Sequence, residues 1–431
     1  MTTRLLMVGL DAADANLVER YMTEGTMPYL SRLKDRGLMK RLFSSIVSSD
    51  DDLWASFQYG ESVVEHGRYH YNIPLSNNSL EKAYKRDLGK NFFWNKVIGQ
   101  HLRKAIIDIP KCAEAQTLNG IHLADWIVHG RYFKNPTSFP PELAGDVIAR
   151  FGPALPSRCD YFQESLNHAN VAEIVSNLSE STLRKRAAGL HFLNEESWDL
   201  FLIGFKEIHC ASHGLWNLID KNHVDYNEQL NLKLGEPIKF IFSNIDAAIG
   251  DLINAAGSHA EIVVFSTTNM TSNGTLDHLL PKIINKINQQ LGSPFFSILP
   301  YNDNCGALRI NALKEEKEYT TNLICQILKE LTDVDTNKNV IETITFPSIN
   351  NEDKKAKLLP DLLFAYKPNL NPYAVKSSLL GIIAADAVPN IRPGNHCGGG
   401  FLIAAGNKAQ EFAKNTNVME DFSEMTAAIL E

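Results

Sequence analysis

Short runs of apolar residues alternate along the chain with longer stretches in which apolar positions recur at helical spacing. The short runs are apolar almost throughout, which is typical of strands that helices cover on both faces. The longer stretches predict helices, most clearly over residues 12–35 and 317–331. Strands that alternate with helices indicate an α/β fold with a mostly parallel central sheet. The predicted strands are Leu5–Leu10, Ala105–Ile109, Leu200–Phe205, Ile262–Phe265, Leu362–Tyr366 and Phe401–Ala405.

The alternation is lost over residues 110–196, a segment punctuated by prolines. We predict that this segment is an inserted cap over the carboxyl edge of the sheet. Residues 1–109 and 197–431 would then form the α/β core. A polar stretch at 348–357 predicts a solvated loop.

Charge and composition narrow the classes of partner. The 431 residues include 42 Lys and Arg against 50 Asp and Glu, a net charge of −8. This balance argues against a surface that coats nucleic acid, and no apolar run reaches the roughly 18 residues of a membrane span. Six cysteines without a CxxC pair, and a beginning that does not read as a leader, predict a cytoplasmic protein. We expect a small-molecule substrate and neither a nucleic acid nor a membrane as partner; the sequence leaves the oligomeric state open.

Candidate chemistry lies where strands end, because ligands of open α/β sheets bind beyond the carboxyl ends of the strands. Asp11 follows the first strand, either as a metal ligand or as the N-cap of the next helix. His209 and His213 follow the third strand at a spacing that puts both on one helix face, where they can share a metal ion or be ordinary histidines. His396 lies in the glycine-rich segment RPGNHCGGG, read here as a turn before the last strand.

Two further sets of residues have less distinctive patterns. Asp50, Asp51 and Asp52 form an acidic cluster ahead of a tryptophan, which is most often a solvated turn. Cys210 and Cys397 each follow a candidate ligand and are more typical of small buried residues than of ligands.

In this order, the segments resemble the alkaline phosphatase superfamily, specifically its branch of type I phosphodiesterases and nucleotide pyrophosphatases. The opening VGLDAADANLVERYMTEGTMPYLSRLKDRG is similar to that branch's first strand, metal-binding aspartate and helix. The later blocks that carry the resemblance are DLWASFQYGESVVEHGRYHY, FFWNKVIGQHLRKAIIDIP, LPDLLFAY and RPGNHCGGGFLIAAG. The resemblance covers residues 4 to 406. It implies a three-layer sandwich with a mostly parallel central sheet and an inserted cap.

The resemblance also implies a metal centre. The family binds two metal ions through six side chains and uses a threonine or serine nucleophile. Carried over to this sequence, the first metal site is His209, His213 and His396, with His209 in place of an aspartate. Three histidines with one open position suit a single divalent metal ion, zinc above all.

The second metal site of the family is incomplete in this sequence. Asp11 is retained, but Thr267–Thr268 takes the place of an Asp-His dipeptide, and Asp50 stands at the position of the nucleophile. Two neutral hydroxyl groups replace a carboxylate and an imidazole, so we expect no second metal ion. The pair Asp277–His278 is an alternative source of ligands.

Three functions fit these residues. The favoured one is a divergent one-metal enzyme that acts on a small ester, phosphoester or specialised metabolite, with Asp50 as nucleophile or base and Asp11 as second acid or orienting group. The second is a non-catalytic binding scaffold. The third is a conventional metal-dependent phosphodiesterase in which Ser48 or Ser49 serves as nucleophile.

Overall fold

The computed structural model describes residues 3–44, 50–74, 79–83, 91–112, 114–127, 135–157, 168–301, 304–347 and 358–431. The loop predicted at 348–357 and the serines Ser48 and Ser49 lie outside the described residues. Among the described residues, no helix combines the length and the apolar character that a membrane crossing requires.

Strands and helices alternate along most of the chain. In chain order the strands are β1 (Thr3–Leu10), β2 (Leu38–Arg41), β3 (Asn72–Pro74), β4 (Leu80–Lys82), β5 (Lys104–Ile107), β6 (Gly120–Ala124), β7 (Thr137–Phe139), β8 (Trp198–Phe205), β9 (Glu261–Ser272), β10 (Phe296–Leu299), β11 (Cys305–Ile310), β12 (Thr332–Asp333), β13 (Ile341–Thr345), β14 (Leu362–Tyr366), β15 (Ala374–Ser377), β16 (Gly381–Ala384) and β17 (Gly394–Ala405). The helices are α1 (Ala15–Thr23), α2 (Pro28–Asp35), α3 (Asp50–Tyr59), α4 (Val63–His66), α5 (Phe93–Lys96), α6 (Leu143–Phe151), α7 (His168–Glu195), α8 (Glu207–Leu215), α9 (Glu228–Lys233), α10 (Pro237–Ala256), α11 (Leu280–Leu291), α12 (Lys317–Glu330), α13 (Asn407–Ala413) and α14 (Asp421–Leu430).

The central sheet has eight strands in the order β2-β17-β9-β1-β8-β5-β6-β7. The pairs that join β9, β1, β8, β5 and β6 are parallel, whereas β17, β2 and β7 pair antiparallel at the two sides. The predicted mostly parallel sheet is therefore confirmed. The predicted strand Leu362–Tyr366 forms, but as β14 of a separate antiparallel sheet of order β10-β11-β14-β13. An apolar run predicts a buried strand without showing which sheet it joins.

Helices cover both faces of the central sheet. Successive side chains of a strand point to opposite faces, so Leu6 and Val8 of β1 enter one apolar core while Leu5 and Met7 enter the other. The first core is closed by α1, α2, α7, α8 and α10, and the second by α3, α5, α13 and α14. The result is a three-layer sandwich. A third apolar core, between residues 276 and 385, is built around α11, α12 and the small antiparallel sheets.

The predicted helix over 12–35 is two helices, α1 and α2. Gly25 between them has a φ of 78°, a left-handed conformation that glycine adopts without strain, and Pro28 opens the second helix. The predicted helix over 317–331 is confirmed as α12.

Residues 110–196 contain more of the core than the prediction assigned to them. Strand β6 lies in this segment and pairs parallel with β5, matching Ile121 to Ala105, and β7 extends the sheet by one further strand. Helix α7 packs along α10 on one face of the sheet. The prolines lie in connections between these elements and do not mark the end of the core. Cap function for the remaining parts of the segment stays a prediction.

Candidate metal centre

Three histidine rings meet at the carboxyl edge of the central sheet. His209 and His213 lie one turn apart on α8, which directly follows β8. His396 lies on β17, opposite Met270 of β9, and not in the turn that the sequence predicts. The ring centroids are 4.4 Å apart for His209 and His213, 4.6 Å for His213 and His396, and 5.0 Å for His209 and His396. All three side chains are buried.

A glycine brings the helix and the strand together. The Nδ1 group of His213 donates a hydrogen bond to the carbonyl oxygen of Gly394, at 2.7 Å. A Cβ atom at position 394 would lie 2.3 Å from the carbonyl oxygen of Ser212, so only glycine allows this approach. Because Nδ1 carries the proton, the Nε2 atom of His213 keeps its lone pair, and it lies 3.1 Å from Nε2 of His209.

The three histidines fit a divalent metal ion. One nitrogen from each of His209, His213 and His396 lies within 4.8 Å of the others. Burial, together with the nearby Arg392 and the other two histidines, holds the pKa of His213 well below its ordinary value. The imidazole is therefore neutral at physiological pH, which is the form that binds metal ions. Three imidazoles with an open fourth position form a donor set that zinc accepts.

Asp50 closes the open side of the three rings. One carboxylate oxygen, Oδ2, lies 3.4 Å from Nε2 of His209 and 3.6 Å from Nε2 of His396. The other, Oδ1, forms an ion pair with the ammonium group of Lys111. Burial alone would raise the pKa of Asp50, but His396, Lys111 and His209 together hold it well below the usual range. Asp50 is thus a carboxylate that faces the histidines.

The acidic cluster is not the solvated turn that its sequence predicts. Asp50, Asp51 and Asp52 form the first turn of α3 and are 2%, 0% and 5% exposed. The partial positive charge at a helix N-terminus stabilises acidic side chains in this place. The ammonium group of Lys111 adds a full positive charge, with its Nζ atom 3.4 Å from Oδ1 of Asp51.

Asp11 directs one carboxylate oxygen at the site. The indole Nε1 group of Trp54 donates a hydrogen bond of 2.7 Å to Oδ1 of Asp11. The second oxygen, Oδ2, is buried and accepts no hydrogen bond from the described residues. Asp11 is not the N-cap of α1: that role belongs to Asp14, which accepts a hydrogen bond of 2.8 Å from the backbone of Leu17. Asp11, Asp50 and His209 form a second group of potential ligands within 4.8 Å of one another.

Thr267 and Thr268 lie within β9 and bring no charged group to the centre. The hydroxyl of Thr268 donates a hydrogen bond of 3.0 Å to the carbonyl oxygen of Gly398. The hydroxyl of Thr267 is buried without a hydrogen bond among the described residues. Asp277 and His278 have partners outside the metal centre: Asp277 accepts from the Tyr366 hydroxyl at 2.9 Å, and Nε2 of His278 donates to the carbonyl oxygen of Pro372 at 2.8 Å.

The two cysteines next to candidate ligands differ in burial. Cys210 is fully buried, as its sequence context predicts, and Cys397 is half-buried. The Sγ atom of Cys210 lies 3.9 Å from Nδ1 of His209. Neither thiol belongs to the groups of potential ligands among the described residues.

No protein-family model matches the chain, and no curated protein matches it in sequence. Solved structures match it in fold. Phosphonoacetate hydrolase from Sinorhizobium meliloti, in complex with phosphonoformate, superposes with a TM-score of 0.57 at 12% identity, over 99% of this chain and 96% of the hydrolase. Murine ectonucleotide pyrophosphatase/phosphodiesterase 5 superposes with a TM-score of 0.50 at 11% identity, over 94% of this chain and 88% of the murine protein. Both neighbours are members of the alkaline phosphatase superfamily. The chain has an alkaline-phosphatase-like fold.

The predicted resemblance is therefore confirmed for the alkaline-phosphatase-like fold. One residue of the site, Lys111, was missed by the sequence analysis. It lies four residues beyond the end of β5, so the rule that draws attention to strand ends could have found it. Its contact with Asp50 could not be foreseen, because the two residues lie far apart in the chain.

Proposed function

We propose that the chain is a one-metal enzyme that acts on a small phosphoester, phosphonate or ester, with zinc on His209, His213 and His396. The observation that carries the proposal is the convergence of three buried imidazoles, two of which lie within 3.6 Å of the Asp50 carboxylate. Three imidazole nitrogens within 4.8 Å of one another form a donor set that a divalent cation can complete.

The metal ion, when bound, would polarise a phosphoryl or carbonyl oxygen of the substrate. Asp50 lies where it can act on that substrate as base or nucleophile, since its Oδ2 atom faces the histidines. A carboxylate whose pKa is held low stays ionised at physiological pH, so it is ready to accept a proton or to attack.

Asp11 would serve as a second acid or orienting group. The hydrogen bond from Trp54 fixes its carboxylate and leaves Oδ2 to a substrate or a water molecule. This oxygen is buried, so a partner at this position would be held away from bulk solvent.

The ligands of the structural neighbours suggest the chemical class of substrate. Phosphonoacetate hydrolase has been solved with phosphonoformate and with phosphonoacetate, and the murine phosphodiesterase with AMP. These ligands all carry a phosphorus oxyanion. The cationic side chain of Lys111 beside Asp50 is compatible with such a group.

A non-catalytic binding scaffold is the second candidate. Thr267 and Thr268 favour it, because two neutral hydroxyls stand where the related enzymes carry a metal-binding Asp-His pair. Under this reading the three histidines would hold a structural ion or none.

Metal content tests the histidine site, and turnover then separates the two candidates. Elemental mass spectrometry of wild type, His209→Ala and His259→Ala, purified without chelator, should give one zinc per chain in wild type and none in His209→Ala. His259 is an exposed histidine outside the centre, so its variant should match wild type. Two metal ions per chain would contradict the one-metal enzyme, and the absence of metal would favour the scaffold.

Turnover should be measured on the same preparations with phosphonoacetate and with nitrophenyl mono- and diesters of phosphate. The variant Asp50→Asn should keep its zinc and lose turnover by about 10²–10⁴-fold, the usual contribution of a positioned base. Asp277→Asn, which alters a carboxylate outside the centre, should retain both zinc and turnover. Full turnover in Asp50→Asn would rule out a catalytic role for this carboxylate.

A further inference from the structure

Lys111 holds an unusual position in the backbone. It follows β5 and Pro110 and has a φ of 57°, a left-handed conformation that residues with a Cβ atom seldom adopt. Two side chains hold this segment in place. Gln58 donates to the carbonyl oxygen of Pro110 at 2.8 Å, and Arg68 donates to that of Lys111 at 3.1 Å. Strained conformations persist where the surroundings fix them, and they concentrate at functional sites.

The backbone conformation places the Lys111 ammonium group in the interior, among carboxylates. The side chain is 5% exposed, and it forms an ion pair with Asp50 and lies 3.4 Å from Oδ1 of Asp51. The partner side chains of Asp50 and Asp51 are 2% and 0% exposed. A buried ammonium group and two buried carboxylates are tolerated only when each compensates the other.

Asp50 connects this ammonium group to the three histidines. One oxygen pairs with Lys111, and the other faces His209 and His396. In two-metal sites the metal ions stand on both sides of the reacting oxygens and stabilise their charge from each side. Here imidazoles stand on one side of the carboxylate and an ammonium group on the other.

The described residues do not offer a complete second set of metal ligands. The second group of potential ligands, Asp11, Asp50 and His209, shares His209 with the first group. Asp50 already forms an ion pair with Lys111. Asp11 is therefore the one residue of the second group that neither belongs to the first group nor pairs with Lys111. The hydroxyl of Thr267 is neutral and a poor ligand by comparison with a carboxylate or an imidazole.

We propose that the ammonium group of Lys111 takes the place of a second metal ion, so that the centre combines one exchangeable metal ion with one fixed internal cation. This inference rests on the proposed function, because it assumes a metal ion on the three histidines. A lysine supplies an ammonium group with hydrogen-bond donors, but a chelator does not remove it and it is not a Lewis acid. The centre would therefore be asymmetric, with a metal ion at one position and an ammonium group at the other.

Metal titration tests the proposal. Metal-free wild type, Lys111→Met and Lys111→Arg are loaded with one equivalent of zinc and then titrated with Mn²⁺, with free Mn²⁺ followed by electron paramagnetic resonance. Wild type and Lys111→Arg should bind no second ion tightly. In Lys111→Met the carboxylates lose their internal cation, so we expect a second ion to bind at least tenfold more tightly than in wild type. The double variant Lys111→Met/Asp11→Asn should lose this gain.

The outcomes distinguish this inference from the proposed function. Unchanged Mn²⁺ affinity in Lys111→Met would overturn the role of Lys111 while the one-metal histidine centre stood. Tight binding of two ions by wild type would overturn both the role of Lys111 and the one-metal centre. Absence of zinc from wild type and all variants would overturn the proposed function itself. Lys111→Gln replaces Lys111→Met if the latter does not fold.

Discussion

Two buried clusters of charged side chains lie at the same edge of the central sheet, and they differ in how fully the oxygens of one carboxylate in each are occupied. Beyond β5 and β8, Oδ1 of Asp108 accepts hydrogen bonds from Lys206 and the Trp126 amide. Its Oδ2 accepts one from the Ile127 amide and forms an ion pair with Lys185. These four distances lie between 2.9 and 3.3 Å. In the metal centre, by contrast, nitrogen atoms of three imidazole rings converge, and Oδ2 of Asp11 accepts no hydrogen bond from the described residues.

This difference distinguishes a cluster that supports the fold from a cluster that can bind a ligand. Burial alone would raise the pKa of Asp108, but Lys185 and Lys206 lower it, so the carboxylate is ionised and fully occupied. A carboxylate with two donors on each oxygen has no capacity left for a ligand. It fixes the start of α8, through Lys206, and so indirectly the position of His209. In the metal centre, Oδ2 of Asp11 has no such partner among the described residues.

The largest effect on stability should come from a substitution in the cluster of charged side chains around Asp108. Asp108→Asn leaves the buried ammonium group of Lys206 with a neutral partner and leaves Lys185 with Glu207 as its remaining carboxylate, at 3.5 Å. Removal of one member of a buried ion pair costs about 3–5 kcal/mol. Urea unfolding of the variant should show this loss in the free energy of unfolding. Its folded fraction should keep the zinc content of wild type.

An exposed ion pair provides the control. Glu180, whose side chain is 47% exposed, pairs with Arg184 one turn away on α7. Glu180→Gln should cost less than about 0.5 kcal/mol, because solvent screens such pairs. If Asp108→Asn lowered the free energy of unfolding as little as Glu180→Gln does, the two clusters would not differ in the way described.

A histidine outside the metal centre provides a further test, through the pH dependence of the free energy of unfolding. His122 on β6 accepts a hydrogen bond from the Gln116 amide at Nδ1, and burial lowers its pKa to about 3. The unfolded chain takes up a proton at this residue below pH of about 6.5, but the folded chain does not. The free energy of unfolding should therefore fall as the pH drops below about 6.5, by about 1.4 kcal/mol per pH unit for this group.

The measurement compares metal-free wild type with His122→Gln between pH 7 and pH 5. We expect the wild type to lose about 2 kcal/mol more than the variant over this range. His122→Gln should also retain full zinc content, unlike a variant of His213, because no ligand group among the described residues includes His122. Parallel pH profiles for the two proteins would show that His122 does not titrate as its burial implies.

The sequence was sufficient for those parts of the fold and the site that depend on local pattern. Apolar runs predict β1 and β8 almost to the residue, and the spacing of His209 and His213 places both on one face of α8. Strand ends predict that Asp11 lies at the edge of the sheet. These features follow from the periodicity of a strand or a helix and need no contact between distant residues.

Features that depend on pairing between distant segments were predicted incorrectly or missed. His396 lies in a strand because β17 pairs with β9, and a glycine-rich sequence by itself indicates a turn. The buried acidic turn of α3 requires Lys111 from beyond β5, and no local signal joins the two. Strand β14 is apolar like the strands of the central sheet, but it pairs with β11 and β13 in a separate sheet.

The two adjacent threonines of β9 offer the smallest and most closely matched test. Thr268 donates to the carbonyl oxygen of Gly398, so Thr268→Val should lose about 1 kcal/mol of unfolding free energy. The Thr267 hydroxyl has no hydrogen bond among the described residues, so Thr267→Val removes an unsatisfied buried group and should cost nothing or stabilise the metal-free protein. Chemical denaturation of both variants, with and without zinc, measures the difference. If Thr267→Val lowered the free energy of unfolding only in the presence of zinc, this hydroxyl would contact the bound ion or its water. The one-metal centre would then need a ligand beyond its three histidines.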